Sequence, residues 1–309
     1  MLLILLGVSL ILYVLVRCIP ADFVEQKIQA LQQNVGTDVT DEMIQNMKAA
    51  YGLDKGIIAG YFGWLGSLLK GDFGTSFISG RPVVENIFSA DKIGISFLVA
   101  FIATIFEFMI AIPLGITAAT HQYSIRDYVV TVLVLIGISL PTFFFGQILK
   151  DLFANKLGWA TVAGLSQSGI TLKALWVPIL TVVILSIGGR MRLTRTNMLE
   201  VLSADYIRTA RAKGLKESKV IYKHAFRNTL IPIVTGLAGL IPSLFSGAMI
   251  TEQVFDLPGI GHYALSAMQQ GDIPVIMTYN MFLAFLSVLG VLLSDLMYGL
   301  VDPRVKLTA

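Results

Sequence analysis

The feature that most constrains this chain is the length of its apolar runs. A helix rises 1.5 Å per residue, so about 20 apolar residues cross the ~30 Å hydrocarbon core of a bilayer. Six blocks reach or approach that length: Met1 to Pro20, Ile93 to Thr120, Tyr128 to Leu149, Leu175 to Gly189, Leu230 to Ile250, and Ile276 to Val301. Apolar residues make up 55% of the 309 and charged ones only 14%. An ordinary soluble domain is roughly 25% charged. With a mean hydropathy of +0.75, these values exclude a disordered chain, a soluble enzyme with a wet surface and a nucleic-acid binder. The expected fold class is an all-α membrane protein with six transmembrane helices.

Pro113, Pro141, Pro178, Pro232 and Pro242 fall within or at the ends of the blocks. Packed membrane helices tolerate such breaks because neighbouring helices satisfy the freed carbonyls. The first block also suits a cleaved signal peptide, but no basic residue precedes it, and Arg17 stands where a small-residue cleavage site would lie. A retained helix is expected, with Arg17 extending toward the headgroups. The single cysteine, Cys18, supplies neither an internal disulfide nor a metal cluster.

Orientation follows from the basic residues, which accumulate on the cytoplasmic side. Residues 190–228 hold ten Lys and Arg against three acids, Glu200, Asp205 and Glu217. Residues 21–92 hold six Lys and Arg against nine acids, and residues 251–275 hold no Lys or Arg. Six crossings with both termini cytoplasmic satisfy all three counts. Residues 21–92 are then extracytoplasmic, and ~70 residues make at best a small core. Thr40 suits the N-cap of a helix carrying Asp41 and Glu42 in its first turn, with Met43, Ile44, Met47 and Ala50 on one face. Ile57, Ile58, Tyr61, Phe62, Leu65, Leu68 and Leu69 recur at helical spacing in a run too short to span. That run reads as an interfacial helix with Tyr61 and Trp64 at headgroup level, or as a helix packed on neighbouring spans.

Between the fourth and fifth blocks the pattern changes. Ser203 suits an N-cap with Asp205 in the first turn, and Ala204, Ile207, Ala210 and Arg211 follow at helical spacing. Gly214 fits the left-handed residue that ends a helix, and Lys213 suits its negative end. Ser218 suits the cap of a second helix through Val220, Ile221, His224 and Asn228. A short helix held at both ends by membrane spans can transmit a push from a cytoplasmic partner. The small residues Ala210, Ala212 and Gly214 would admit a close surface, and Arg211 and Lys213 would supply polar contacts. The plainer reading is a basic loop facing anionic lipid.

Several strings, in order along the chain, carry a resemblance. They are YGLDKG at 51–56, GDFGTSF at 71–77, GRPVVENI at 80–87, IPLGITAA at 112–119, DYIRTARAKGL at 205–215, KHAFRNTLIP at 223–232, ITEQVFDLPGIG at 250–261 and DLMYGLVDPRV at 295–305. Together they resemble the permease subunits of bacterial ATP-binding-cassette importers, in the dipeptide, oligopeptide and nickel branch. The wider importer signature is Glu-Ala-Ala, three residues, Gly, nine residues, Ile-x-Leu-Pro. This chain departs from it, with Arg208, Thr209 and Ala210 at the first three places, His224 at the Ile place and Arg227 at the Pro place. The departure weakens a generic importer assignment and leaves the branch assignment standing.

The resemblance implies a type I importer permease fold, with transmembrane helix 1 at 1–20, the external segment at 21–92, and a permease core at 93–309 that contains a cytoplasmic coupling segment at 190–228. It implies that Tyr206, Thr209, Ala210, Arg211, Ala212, Lys213, Gly214 and Leu215 form a coupling helix docked on an ATPase. It further implies a heterodimer with a sibling permease, two ATPases, an extracytoplasmic substrate-binding protein and the bacterial plasma membrane. No stretch matches the phosphate loop G-x-x-x-x-G-K-[ST]. The chain is therefore read as a non-enzymatic transport subunit without a cofactor of its own, ATP and Mg belonging to the partners. Peptides are the expected cargo, with nickel or another small solute as the alternative.

Other chemistry is sparse. Glu107 is the one acid deep within a block, and such carboxylates line pathways, hydrogen-bond neighbouring helices or become protonated on burial. Glu252 is expected to be exposed near the end of the fifth block, and Asp295 to join Asp302 and Arg304 in a C-terminal clasp. His121, His224 and His262 lie in separate loops and make no metal site. No serine elbow suggests an intramembrane protease. An ion-coupled secondary transporter would favour several intramembrane charges and inverted repeats, and a scaffold without transport remains a third reading.

Overall fold

The computed structural model describes residues 1–18, 45, 55–161, 171–246 and 248–301. Helix α1 is Leu2–Arg17, α2 is Ile57–Leu69, and the short α3, Val83–Ile87, leads into α4, Ala90–Thr120. Helix α5 is Ile125–Ser139, and α6, Thr142–Lys150, continues through wider π-helical turns at Asp151–Lys156. Then come α7, Leu172–Leu202, and α8, Asp205–Ala212. A single turn at Glu217–Lys219 and a π-helical stretch at Val220–Ala225 run into α9, Phe226–Thr235. After a 3₁₀ stretch at Gly236–Gly239 follow α10, Leu240–Ser246, α11, Met249–Phe255, α12, Ile260–Gln270, and α13, Ile273–Val301. The expected helix from Thr40 and the C-terminal clasp at Asp302 and Arg304 lie outside the described residues.

Among the described residues, three helices are long and apolar enough to cross a bilayer: Ala90–Thr120, Leu172–Leu202 and Ile273–Met297. Helices α5 and α6 make a fourth only as a pair bent by 98°. The bend has a local cause. Pro141 disfavours the helical conformation at the residue before it, and Leu140 is extended at φ −83°, ψ 128°. Helix α1, at 16 residues, is shorter than the hydrocarbon core at 1.5 Å per residue. The expected fifth block is divided among α9, the 3₁₀ stretch, α10 and α11.

The helix that carries the fourth block continues beyond Gly189. This helix, α7, is 31 residues long in all, runs to Leu202 and carries Arg190, Arg192 and Arg195 with it. No proline or glycine stands between Arg190 and Leu202, and acids from other helices neutralise two of the three arginines.

The chain divides into two compact units, Met1–Gly94 with His262–Val288, and Ile95–Gly261 with Leu289–Ala309. In the first, Tyr13 of α1 meets Tyr61 and Trp64 of α2 with ring centroids 5.7 and 5.9 Å apart. Ile273 and Met277 complete this core. The hydroxyls of Ser9 and Tyr61 are 2.8 Å apart, which satisfies both in an apolar setting. Helix α2 thus packs on its neighbour, Tyr61 and Trp64 face inward, and Ile57, Ile58, Phe62 and Leu69 face outward. The turn at residues 72–82 closes by a bridge between Thr75 and Pro82. The Ser76 hydroxyl donates to Asp272 at 2.5 Å and the Phe77 N–H donates to it at 3.1 Å. Burial pushes the Asp272 carboxyl above the usual carboxylate range, against the opposing pull of the Ser76 hydrogen bond.

Among its described residues, the second unit has apolar clusters in several places. Ile95, Val99, Leu149, Leu175, Val177, Phe255 and Leu257 form one, joining α4, α6, α7 and α11. Ala111, Ala118, Val134 and Met191 join α4, α5 and α7. Another lies under α8 and begins the functional site.

Candidate functional site

Helix α8 is amphipathic and its inner face is committed. Ile207 and Ala210 are buried with Ile116 and Ala119 of α4, Met198 of α7, and Val220 and Ala225 beyond the turn. Ala210 is therefore not free to face a partner. The exposed side carries Tyr206, Arg208, Thr209, Arg211, Ala212, Lys213 and Gly214, while Leu215 is half-buried against the cluster. Asp205 lies in the first turn at the positive end of the helix dipole.

The expected caps are different in detail. Ala204, with no capping side chain, precedes α8, and the Ser203 hydroxyl instead donates back to the Glu200 carbonyl at 2.7 Å. Ser218 sits inside the turn Glu217–Lys219, which Lys216 precedes. Gly214 does adopt the left-handed conformation, at φ +72°. Across that turn, Arg211 and Glu217 form a two-pronged ion pair, with Nη2 to Oε1 at 2.7 Å and Nε to both oxygens at 3.3 Å. The Arg211 hydrogen bonds hold the Glu217 carboxyl below the usual range.

Two further ion pairs were not visible in the sequence. Arg190 Nε donates to Glu107 Oε1 at 3.1 Å, and its guanidinium lies 4.5 Å from the centre of the Phe108 ring. Both partners are largely buried. Glu107 therefore has the structural partner that one of its three readings required. Arg195 binds Asp127 through both prongs, Nε to Oδ1 at 3.0 Å and Nη2 to Oδ2 at 2.9 Å. Asp127 also accepts from the Tyr123 N–H at 3.1 Å, while Tyr123 is held at φ +61°. The Ser124 hydroxyl accepts from the Asp127 N–H, so Ser124-x-x-Asp127 is a helix-start pattern legible in the sequence. Its ionic partner, 68 residues away, was not.

Glu252 was expected to be exposed and is fully buried. Asp295 is exposed on α13. Among the described residues, no three His, Cys, Asp or Glu side chains gather as metal ligands would.

Residues 111–307 match the family model for the binding-protein-dependent transport system inner membrane component. The chain belongs to this family. It is 36% identical over 98% of its length to the oligopeptide transport system permease protein AppB of Bacillus subtilis (strain 168), covering 95% of that protein. It is also 36% identical to the dipeptide transport system permease protein DppB of the same organism, over 87% of this chain and 86% of that one. A solved structure of the MetNI methionine ABC transporter, facing inward, shares the fold with TM-score 0.53 and 19% identity. That match covers 68% of this chain and 94% of the other. The chain, helical through most of its described residues, is a permease subunit with the type I importer permease fold, in a family of inner membrane components.

Proposed function

We propose that this chain forms half of the translocation pathway of an ATP-driven importer for peptides, and that α8 is its docking helix for an ATPase. The observation that carries this reading is the division of α8. Ile207 and Ala210 anchor it to the chain's own α4 and α7, while Tyr206, Thr209, Ala212 and Lys213 remain outside. A helix fixed on one side and free on the other can receive force and pass it inward. The peptide cargo is supported by the names of the two Bacillus relatives. Glu107 is engaged by Arg190, which argues against an ion-coupled carrier built on that acid.

In this reading the six crossings are α1, α4, the bent α5–α6 pair, α7, the broken α9–α11 stretch and α13. Both termini and α8 are cytoplasmic, and residues 21–92 lie outside. A sibling permease completes the pathway, two ATPases bind ATP and Mg, and an external protein delivers the peptide. ATP-driven closure of the ATPases moves the docking helices together and rocks the bundles, which opens the path outward.

The test is a reconstituted complex bearing a crosslinker on a cysteine at Lys213, in a Cys18→Ser background. Capture of the ATPase is expected, together with peptide uptake that needs ATP and survives collapse of ion gradients. No capture, or uptake indifferent to ATP, would reject the assignment.

A further inference from the structure

We infer that Asp127 and Arg195 are positioning residues that transmit the movement of α8 to α5. The inference rests on the docking role proposed for α8. The cluster beneath α8 is built from α4, α7 and the stretch beyond Gly214, and α5 contributes nothing to it. A displacement of α8 therefore reaches α5 through its neighbours, and α7 is continuous up to the Ser203–Ala204 link that precedes α8. Helix α5 meets α7 in two ways. Val130 and Val134 lie against Met191 and Ile187, and Ile138 sits close on Gly188, apolar packing that holds the middle and the far end of α5 and leaves its start to polar contacts. The other contact is the two-pronged Arg195–Asp127 pair, whose planar fork fixes register as well as distance.

The pair is built to keep its geometry. Asp127 is buried, and it also accepts from the Tyr123 N–H, so the same carboxylate secures the turn between α4 and α5. Arg195 thus ties the start of α5 to α7 one turn before Met198, where α7 enters the cluster beneath α8. With the pair intact, α5 follows α7. Without it, α7 can move while α5 lags, and ATP is spent without full opening of the path.

The experiment uses the whole complex in proteoliposomes, with binding protein and labelled peptide, and reads peptide taken up per ATP hydrolysed. Asp127→Asn keeps an oxygen for Tyr123 but loses the charge, and Arg195→Lys keeps the charge but loses the fork. Each is expected to assemble, to hydrolyse ATP and to lower peptide per ATP about tenfold, in the ordinary range of coupling between sites. The exchange Asp127→Arg with Arg195→Asp should recover part of that loss. Unchanged peptide per ATP in either assembled variant overturns the inference, as does failure of all three to assemble, since the pair then serves folding alone. Crosslinking through Lys213→Cys in the complex that keeps Asp127 and Arg195 separates the two ideas. If it captures no ATPase, the docking role of α8 fails, whatever the variants do.

Discussion

The Ser96 hydroxyl donates to Glu252 Oε1 at 2.5 Å and accepts from the Ile260 N–H at 2.9 Å. One serine on α4 thus joins the carboxylate of α11 to the backbone at the start of α12. The intervening turn folds back on the same acid. The Leu257 N–H donates to the Glu252 carbonyl at 2.8 Å, and Asp256 is left-handed at φ +53°. The carboxylate occupies the space beside Gly259 that a side chain would need. The string ITEQVFDLPGIG is thereby explained as a turn wrapped around a buried acid.

Ser96→Ala should lower the thermal stability of the detergent-solubilised chain by roughly 1–3 kcal/mol, because two buried polar groups lose a partner. Gly259→Ala should be worse, since its methyl group falls on the Glu252 carboxylate. Unfolding followed by circular dichroism checks both, and equal stability of Gly259→Ala and the unaltered chain would contradict the packing described.

Removing one member of the Glu107–Arg190 pair strands a buried charge and should cost about 3–5 kcal/mol, whereas replacing both with apolar residues of similar volume should cost less than either single change. A double-mutant cycle on thermal stability measures the coupling. Additive single effects would show that the two side chains do not depend on each other.

On α8 the two sides should respond differently. Ala212→Glu changes an exposed residue and should leave the chain intact while weakening ATPase co-purification. Ala210→Glu forces a charge among Ile116, Met198 and Ile207 and should reduce accumulation of the chain itself. Gly214→Val places a β-branched residue at φ +72° and should reduce peptide uptake more than ATP hydrolysis. Similar behaviour of the Ala210 and Ala212 variants would be inconsistent with the burial pattern.

Asp272 gives a pH dependence of stability. Its carboxyl is raised by burial in the folded chain, so the folded state binds its proton more tightly than the unfolded state does. That contribution is fully present below the unfolded value of about 3.9 and is lost as pH rises through the folded one. Asp272→Asn should therefore gain stability relative to the unaltered chain as pH rises toward neutrality, and the difference should shrink on acidification. Tyr263, whose hydroxyl is raised by burial and by the Asp272 charge, should titrate at lower pH in this variant. Melting temperatures between pH 5 and 8 and tyrosine absorbance at alkaline pH test these two outcomes.

What the sequence determined by itself was one-dimensional. Apolar run length marked α4, α7 and α13 as membrane helices, the helical spacing around Ile207 located α8, and Gly214 marked its end, because these depend on residues close together in the chain. The tertiary structure decided the fate of the charges and the facing of the helices. Arg190 and Arg195 counted in the sequence as a basic loop, yet they lie in a continuous helix because Glu107 and Asp127 meet them there. Glu252 is buried because Ser96, 156 residues away, reaches it, and Ala210 points inward because α4 lies beneath it. Burial of a polar group depends on whether a partner arrives from a distant part of the chain, and periodicity carries no record of that meeting.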